Sequence, residues 1–400
     1  MDAHPSPQPF DGIRIVEVGG TVAVAGATKT FSDYGADVIK VEEADGGQLR
    51  RLPPFPDDRP NINRGAFHLG LDTGKRSIVV DASTASGIAI LVALAASSDV
   101  LLMDLPPERA QRVMEVIDDL ADSSPSVIAM SPHGLDGPYA GRLENDLTLF
   151  ASSNRMGRHS FDDQEPLRYS AEVATLQWAS TATAVTAAAI WGRQHDGKRR
   201  FVEVAGVEAL AANVDSWFVQ WSFTGGSTPR PAGLSRSAYP TGYLPCRDGY
   251  VSFFAGTPPF FSRLCRAIGH PEIADDPRFT DPGQKPQHFD EFMGYLAPYL
   301  ASRTREEVFT ELQSHGVMVA PLLDVREALR DRQAVARGSY VEVEQPGMGT
   351  HVLPGPPFRL ANTWRLKPAP DLGQHTEELL NELGYSRSEQ VALFRAGVTM

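Results

Sequence analysis

The chain has 400 residues, 42% of them hydrophobic and 22% charged, and a formal net charge of −13. That length favours two lobes over a single core, and the acidic balance argues against a nucleic-acid partner, whose phosphates need a basic face. No run approaches the ~20 apolar residues that span a bilayer, so no membrane partner is expected.

The first residues, Met1-Asp-Ala-His-Pro, carry neither a basic nor an apolar signal region. Cys246 and Cys265 are the only cysteines, too few for a disulfide framework or, on their own, a zinc site. The expectation is a cytoplasmic protein without a bound metal.

Gly12–Val18 (GIRIVEV) is a short β-branched run and predicts a buried strand. Small and apolar residues from Thr21 to Tyr34 predict a helix, and Ala36–Glu42 (ADVIKVE) a second strand. Strand, helix, strand within about thirty residues is βαβ spacing. Strands at Arg76–Val80, Val100–Met103 and Val127–Met130 alternate with helices at Gly87–Ala96 and Arg109–Leu120. The alternation predicts an α/β fold with a Rossmann-like, doubly wound large domain.

Leu176–Trp191 reads as a helix rich in Ala and Thr, suited to close packing against another helix or chain, and Val202–Phe218 as one more helix. GGSTPRPAG (225–233) is a turn-rich linker. Tyr243–Phe254 predicts a hairpin around Arg247-Asp248-Gly249. Helices at Pro259–Ile268, Phe289–Ala301 and Arg305–His315, with a strand at Val317–Pro321, complete a smaller α+β domain. Val341–Phe358 is extended, and Thr376–Leu383 and Ser388–Ala396 are helical. The expected organisation is a large domain over 1–222, a small inserted domain over 223–330, and a linker with a returning segment over 331–400.

Few local signals carry chemistry. GGTVAVAG (19–26) follows the first strand, but its glycine spacing is wrong for a dinucleotide loop, even with Glu42 ending the next strand. Lys75 and Arg76 are adjacent in TGKRS and point opposite ways on an extended backbone, one to solvent and one to a pocket that could hold a phosphate. From the residues alone a solvated pair at a strand entrance is the favoured reading. Glu172 precedes a helix, as a candidate carboxylate nucleophile or base or as a charge partner of the helix N-terminus. His133 follows a strand, where sites cluster in open α/β sheets. Trp217, Trp221 and Phe223 read as helix-packing core or as an apolar acyl pocket.

Several segments together resemble the class III CoA-transferases, the family of formyl-CoA and carnitine CoA-transferases and of α-methylacyl-CoA racemase. They are FDGIRIVEV (10–18), YGADVIKVE (34–42), GKRSIVVD (74–81), SSDVLLMD (97–104), GLDGPYAGR (134–142), ENDLTLFASS (144–153), HGVMVAPLLDV (315–325) and APDLGQHTEELLNELG (369–384), in family order along nearly the whole chain. The resemblance implies an interlocked dimer of family chains, with coenzyme A or acyl-CoA as substrate and a small carboxylic acid as acceptor. By position it implies a CoA pocket of Thr21, Val22, Ala23, Asp72, Lys75, Arg76, Asp104, Leu105, Arg112, His133, Leu135 and Asp136.

Two departures shape the functional expectation. The family's Ala-Gly-Pro after the first strand is Ala23-Val24-Ala25-Gly26 here. The family's nucleophilic aspartate follows an arginine by seven residues in Val-Ala-Asp-Leu, and the same frame here is Arg168 followed by Val173-Ala174-Thr175-Leu176. Threonine therefore holds that position, with Arg193 and Gly197 keeping the downstream spacing. A threonine hydroxyl is a weak nucleophile without a base beside it. The racemase's histidine is Asn145, ahead of Asp146.

The first expectation is a CoA-transferase subunit whose sister chain supplies the aspartate, as in two-subunit enzymes that activate benzylsuccinate-type acids. The alternatives are a self-sufficient transferase using Glu172 and a non-catalytic CoA-binding protein, in either a homodimer or a heterodimer. On an extended segment Glu172 would lie about 10 Å from Thr175 and face the other side.

Overall fold

The computed structural model describes residues 8–120, 124–212, 216–226, 234–360 and 364–400. The chain forms two compact units: Met1–Gly157, Leu167–Ser227 and Ala336–Met400 in the larger, Arg158–Pro166 and Thr228–Val335 in the smaller. The smaller unit thus takes in Arg158–Pro166, which lies within the span expected for the large domain. Residues 227–233 of the turn-rich segment lie outside the described residues.

The larger unit opens with β1 (Arg14–Val18), α1 (Val22–Asp33), β2 (Asp37–Glu42), α2 (Ala66–Leu71), β3 (Arg76–Val79), α3 (Ala85–Ala96), β4 (Val100–Met103), α4 (Pro107–Asp118) and β5 (Ser126–Ser131). It continues with α5 (Asp146–Ser152), α6 (Val173–Asp196), β6 (Phe201–Ala205), α7 (Gly206–Ala212) and α8 (Ser216–Thr224). One six-stranded sheet results, in the order β3-β2-β1-β4-β5-β6, with every pairing parallel.

Both faces of the sheet are covered, so its inner strands are buried along nearly their whole length rather than alternating, with Glu17, Lys40 and Glu42 as charged exceptions. Ile15, Val38, Leu102 and Ile128 pack with Phe31 of α1 and Trp178 and Ala182 of α6. Val16, Ile39, Leu101 and Val127 turn to the other face, against Ile90 and Leu94 of α3 and Ile117 of α4. Adjacent strand residues point to opposite faces, so each strand feeds two cores. The small side chains of α6 let it lie close to α1: the Thr183 hydroxyl donates to the Ala27 carbonyl at 3.0 Å.

The helix expected over Val202–Phe218 is instead β6, α7 and α8. Phe201-Val-Glu-Val-Ala205 alternates at period two and pairs with β5 from Val127↔Phe201 to Ser131↔Ala205. Ladder hydrogen bonds and the burial of Val204 outweigh the apolar average of the longer window. Trp221 and Phe223 are not helix-packing core: on α8 they are 61% and 85% exposed. The side chain of Trp217 lies outside what the structure describes.

In the smaller unit β7 (Thr241–Cys246), β8 (Gly249–Phe254) and β9 (Val319–Pro321) form an antiparallel sheet. Helices α9 (Phe260–Ala267), α10 (Pro277–Thr280), α11 (Phe289–Ala301) and α12 (Arg305–Ser314) surround a core containing Phe261, Phe279 and Phe292. The short α13 (Val325–Ala328) and α14 (Arg332–Arg337) follow. The hairpin β10 (Tyr340–Gln345) and β11 (Gly349–Pro354) lies in the larger unit, with α15 (Thr376–Glu382) and α16 (Arg387–Arg395). Among the described residues no helix is long and apolar enough to cross a membrane.

Candidate active site

In an open parallel sheet the ligand crevice lies beyond the carboxyl ends of the strands, where the strand order reverses. Here that point falls between β1 and β4. A cavity of about 240 Å³ opens there, walled by Thr21 before α1 and Val22 and Ala23 at its start, Asp104 and Leu105 after β4, Met130–Pro132, residues 141–146, Glu172 just before α6, and Thr175 and Trp178 of α6. A second hollow of about 750 Å³ shares Leu105 and is lined by Arg109, Arg112, Glu43 and Asp81.

Asp104 fixes the entrance of α1. Its Oδ2 accepts from the Thr21 N–H at 3.2 Å and from the Thr21 hydroxyl, while Thr21 caps α1. Burial pushes the Asp104 carboxyl up to about 6. The carboxylate fits only because position 19 is glycine: at φ +134°, a Cβ on Gly19 would lie 1.5 Å from Asp104 Oδ1.

The opposite wall is the N-terminus of the 24-residue helix α6. Asp146, the first residue of α5, caps it from outside: Oδ1 accepts from the Thr175 N–H at 3.0 Å and from the Thr175 hydroxyl at 3.2 Å. Glu172 takes the left-handed conformation, φ +66°, just before the helix. Burial and, after it, the Asp146 charge raise its pKa, while a hydrogen bond with the Thr175 side chain and the Arg168 charge lower it. The 10 Å separation expected for an extended segment is therefore wrong. The chain turns into a helix at Glu172, and i,i+3 spacing puts Glu172 and Thr175 on one wall.

The expected CoA residues separate by location. Thr21, Val22, Ala23, Asp104 and Leu105 line the first cavity, and Leu105 and Arg112 line the second. Arg112 makes no ion pair with any described residue and is exposed. His133 lies behind the wall: its Nε2 meets Glu144 Oε1 at 2.7 Å, and Glu144 lines the cavity. The Leu135 N–H donates to Glu203, and Asp136 is exposed; neither lines these two cavities.

Asp72, Lys75 and Arg76 do not fit the phosphate-holding reading, because carboxylates or cations already occupy them. Lys75 Nζ donates to Glu17 at 2.8 Å, Asp72 at 2.9 Å and the Ala25 carbonyl at 3.0 Å. Lys40 reaches Asp72 at 2.7 Å, and Arg50 binds Glu42 through Nε at 2.7 Å and Nη2 at 2.8 Å. Three carboxylates and three cations thus balance inside the protein, all without solvent. Burial alone would push the Asp72 carboxyl up, but the cations Lys40 and Lys75 hold it well below the usual range.

His68 completes this network as a neutral ring. Its Nε2 faces Arg50 Nη1 at 3.0 Å, a group that can only donate, so Nδ1–H donates to Asp72 at 2.8 Å. Burial holds its pKa down accordingly. Arg76 is clamped by Asp37 at 2.7 Å, Glu378 at 2.8 Å and Glu382 at 2.6 Å, which ties β2 and β3 to α15.

Sequence reasoning gave Asp146 no part in this site. The signal was Asn145-x-x-Thr148 ahead of an apolar run, a capping pattern that starts α5 and aims its first residue at α6.

A cavity at the switch point of a parallel sheet, bounded by the starts of α1 and α6, is where α/β proteins of this topology hold their ligands. Residues 10–376 match CoA-transferase family III, and the chain belongs to that family. Its members use CoA thioesters as substrates. The chain is 28% identical over 407 residues to the succinyl-CoA:(R)-benzylsuccinate CoA-transferase subunit BbsE of Thauera aromatica, covering 98% of each. It is 26% identical to the succinate–glutarate CoA-transferase of Agrobacterium fabrum, over 94% of this chain and 96% of the relative. It is 28% identical to the formyl-CoA:oxalate CoA-transferase of Streptomyces avermitilis, over 97% and 99%. A CAIB/BAIF family protein from Brucella suis has the same fold, with a TM-score of 0.78 and 23% identity, over 94% of this chain and all of that one.

Proposed function

We propose that this chain is one subunit of a class III CoA-transferase, moving CoA from an acyl-CoA to a free organic acid, and that a sister chain supplies the nucleophilic aspartate. The observation that carries the reading is Thr175: it stands on the cavity wall, third in α6, where the family resemblance puts that aspartate. A mixed anhydride needs a carboxylate there, and a hydroxyl cannot form one. The name of the Thauera relative, a subunit of a succinyl-CoA-dependent transferase, supports the subunit reading. Phe218, Val219, Trp221 and Phe223, all exposed on α8, suit a partner chain in an interlocked dimer of Rossmann-like large domains. In this reading CoA runs over Leu105, with its nucleotide end by Arg112 and its thioester by Thr175.

A second reading has its own observation: Glu172 lines the same wall as Thr175, so a self-sufficient transferase could use its carboxylate. The test is to incubate the purified chain with succinyl-CoA and hydroxylamine and map modified carboxylates by mass spectrometry. A hydroxamate at Glu172 would overturn the sister-chain reading. An unmodified chain that exchanges CoA only when co-purified with an aspartate-bearing paralogue supports it.

A further inference from the structure

The Thr175 hydroxyl stands among two carboxylates, Asp146 and Glu172, on the wall of the first cavity. Asp146 Oδ1 is committed to capping α6 through the Thr175 N–H. Glu172 makes no capping bond, and it holds a left-handed backbone that glycine adopts freely and glutamate does not. A residue kept in that conformation with its carboxyl on a cavity wall is a candidate for function rather than stability. Burial and the Asp146 charge raise its affinity for a proton, which suits a base. Leu143, 96% exposed, is part of the same wall, so water reaches the cavity.

We propose that this cavity hydrolyses acyl-CoA thioesters, with Glu172 as general base and the Thr175 hydroxyl orienting the attacking water. The inference takes its substrate from the family membership, and the placing of the thioester by Thr175 from the proposed function. Glu172 removes a proton from water as the water oxygen bonds to the thioester carbonyl carbon. Val22 and Ala23 open α1, where N–H groups lack helical partners, and they face the developing oxyanion from the same cavity. Collapse breaks the carbon–sulfur bond, and the CoA sulfur takes the proton back from Glu172. Thioester and water thus give one carboxylic acid and one CoA thiol, with no other reactant. Thr175 is what separates this outcome from transfer: an aspartate there would capture the acyl group, whereas a hydroxyl holds water.

The purified full chain is incubated with acetyl-, butyryl- and succinyl-CoA without any acceptor acid, and free thiol is followed with a chromogenic disulfide. Catalytic thiol release is expected from at least one thioester. It falls about 100-fold or more in Glu172→Gln and about 10-fold or more in Thr175→Val, while calorimetry shows both variants still binding CoA. A single turnover in heavy-oxygen water places the label in the product acid. Release at the buffer rate for all three thioesters, or unchanged rates in both variants, overturns hydrolysis. With CoA still bound, that result leaves the transferase-subunit reading standing. Label in Glu172 itself would mean an anhydride and remove its role as base. Absence of CoA binding overturns this inference and the proposed placing of CoA together.

Discussion

Glu172 and Asp104 each hold a state that an isolated carboxylate avoids, and both do so on the cavity wall. The left-handed backbone of Glu172 costs about 1 kcal/mol relative to glycine. Glu172→Gly should therefore raise the urea-unfolding free energy by about that amount while abolishing any chemistry at the site, a split that a structural glutamate would not give. Asp104 has its pKa raised from 3.8 to about 6, so the folded state holds its proton more tightly than the unfolded chain. Below about pH 4 both states are protonated and nothing is lost; as pH rises through 6 the ionised group costs its full amount. Two pKa units correspond to about 3 kcal/mol, and solvent at the cavity wall reduces this to roughly 2. Asp104→Asn keeps an acceptor for the Thr21 N–H. Its melting temperature should exceed that of the parent at pH 7.5 and match it near pH 4. An Asn variant less stable than the parent at pH 7.5 would mean that Asp104 is ionised and paired.

At the scale of elements, two joints hold the site. Asp146 ties α5 to α6, and Asp146→Ala, leaving the Thr175 N–H without its acceptor, should cost about 1–2 kcal/mol in denaturant unfolding. The buried network joins β1, β2, α2 and the turn before β3, and its lysines answer one aspartate. Asp72→Asn would leave Lys40 and Lys75 to share Glu17, one positive charge in excess in the interior, and should cost about 3–5 kcal/mol at pH 7. Asp72 has a depressed pKa, so its contribution is present above the ordinary carboxylate range and is lost as pH falls from that range through the depressed folded value; the difference between parent and variant should narrow in strong acid. Equal stability at pH 7 would mean that the two ammonium groups find other partners.

These joints also mark where sequence reading stops. β1 and β2 are legible because runs rich in Val and Ile follow a glycine, and β4 because four apolar residues stand between Asp99 and Asp104. α2 and α5 have six and seven residues, too few for a helical period to register. Lys75 reads as a pocket cation because two of its partners, Glu17 and Ala25, are 58 and 50 residues away and meet it only through the fold, while Asp72 alone does not mark a buried ion pair. Thr175 could be placed by its frame, but not the helical turn that brings Glu172 beside it.

At the scale of the molecule the question is what the chain does alone. In the two proposals hydrolysis and transfer draw on the same thioester, and the residue at position 175 would decide between water and a carboxylate as the first acceptor. Thr175→Asp would restore a carboxylate at the third position of α6, where the helix N-terminus favours negative charge. Asp146 and Glu172 beside it oppose that charge, so partial recovery is expected rather than a full transferase rate. The measurement is exchange of labelled succinate into succinyl-CoA by the lone chain. The parent should give none above background, and Thr175→Asp should give at least about a tenfold signal with less acceptor-independent thiol release. Exchange by the parent at the same rate would place the nucleophile elsewhere in this chain. A folded, CoA-binding Thr175→Asp with no exchange would mean that the sister chain contributes more to the reaction than one aspartate.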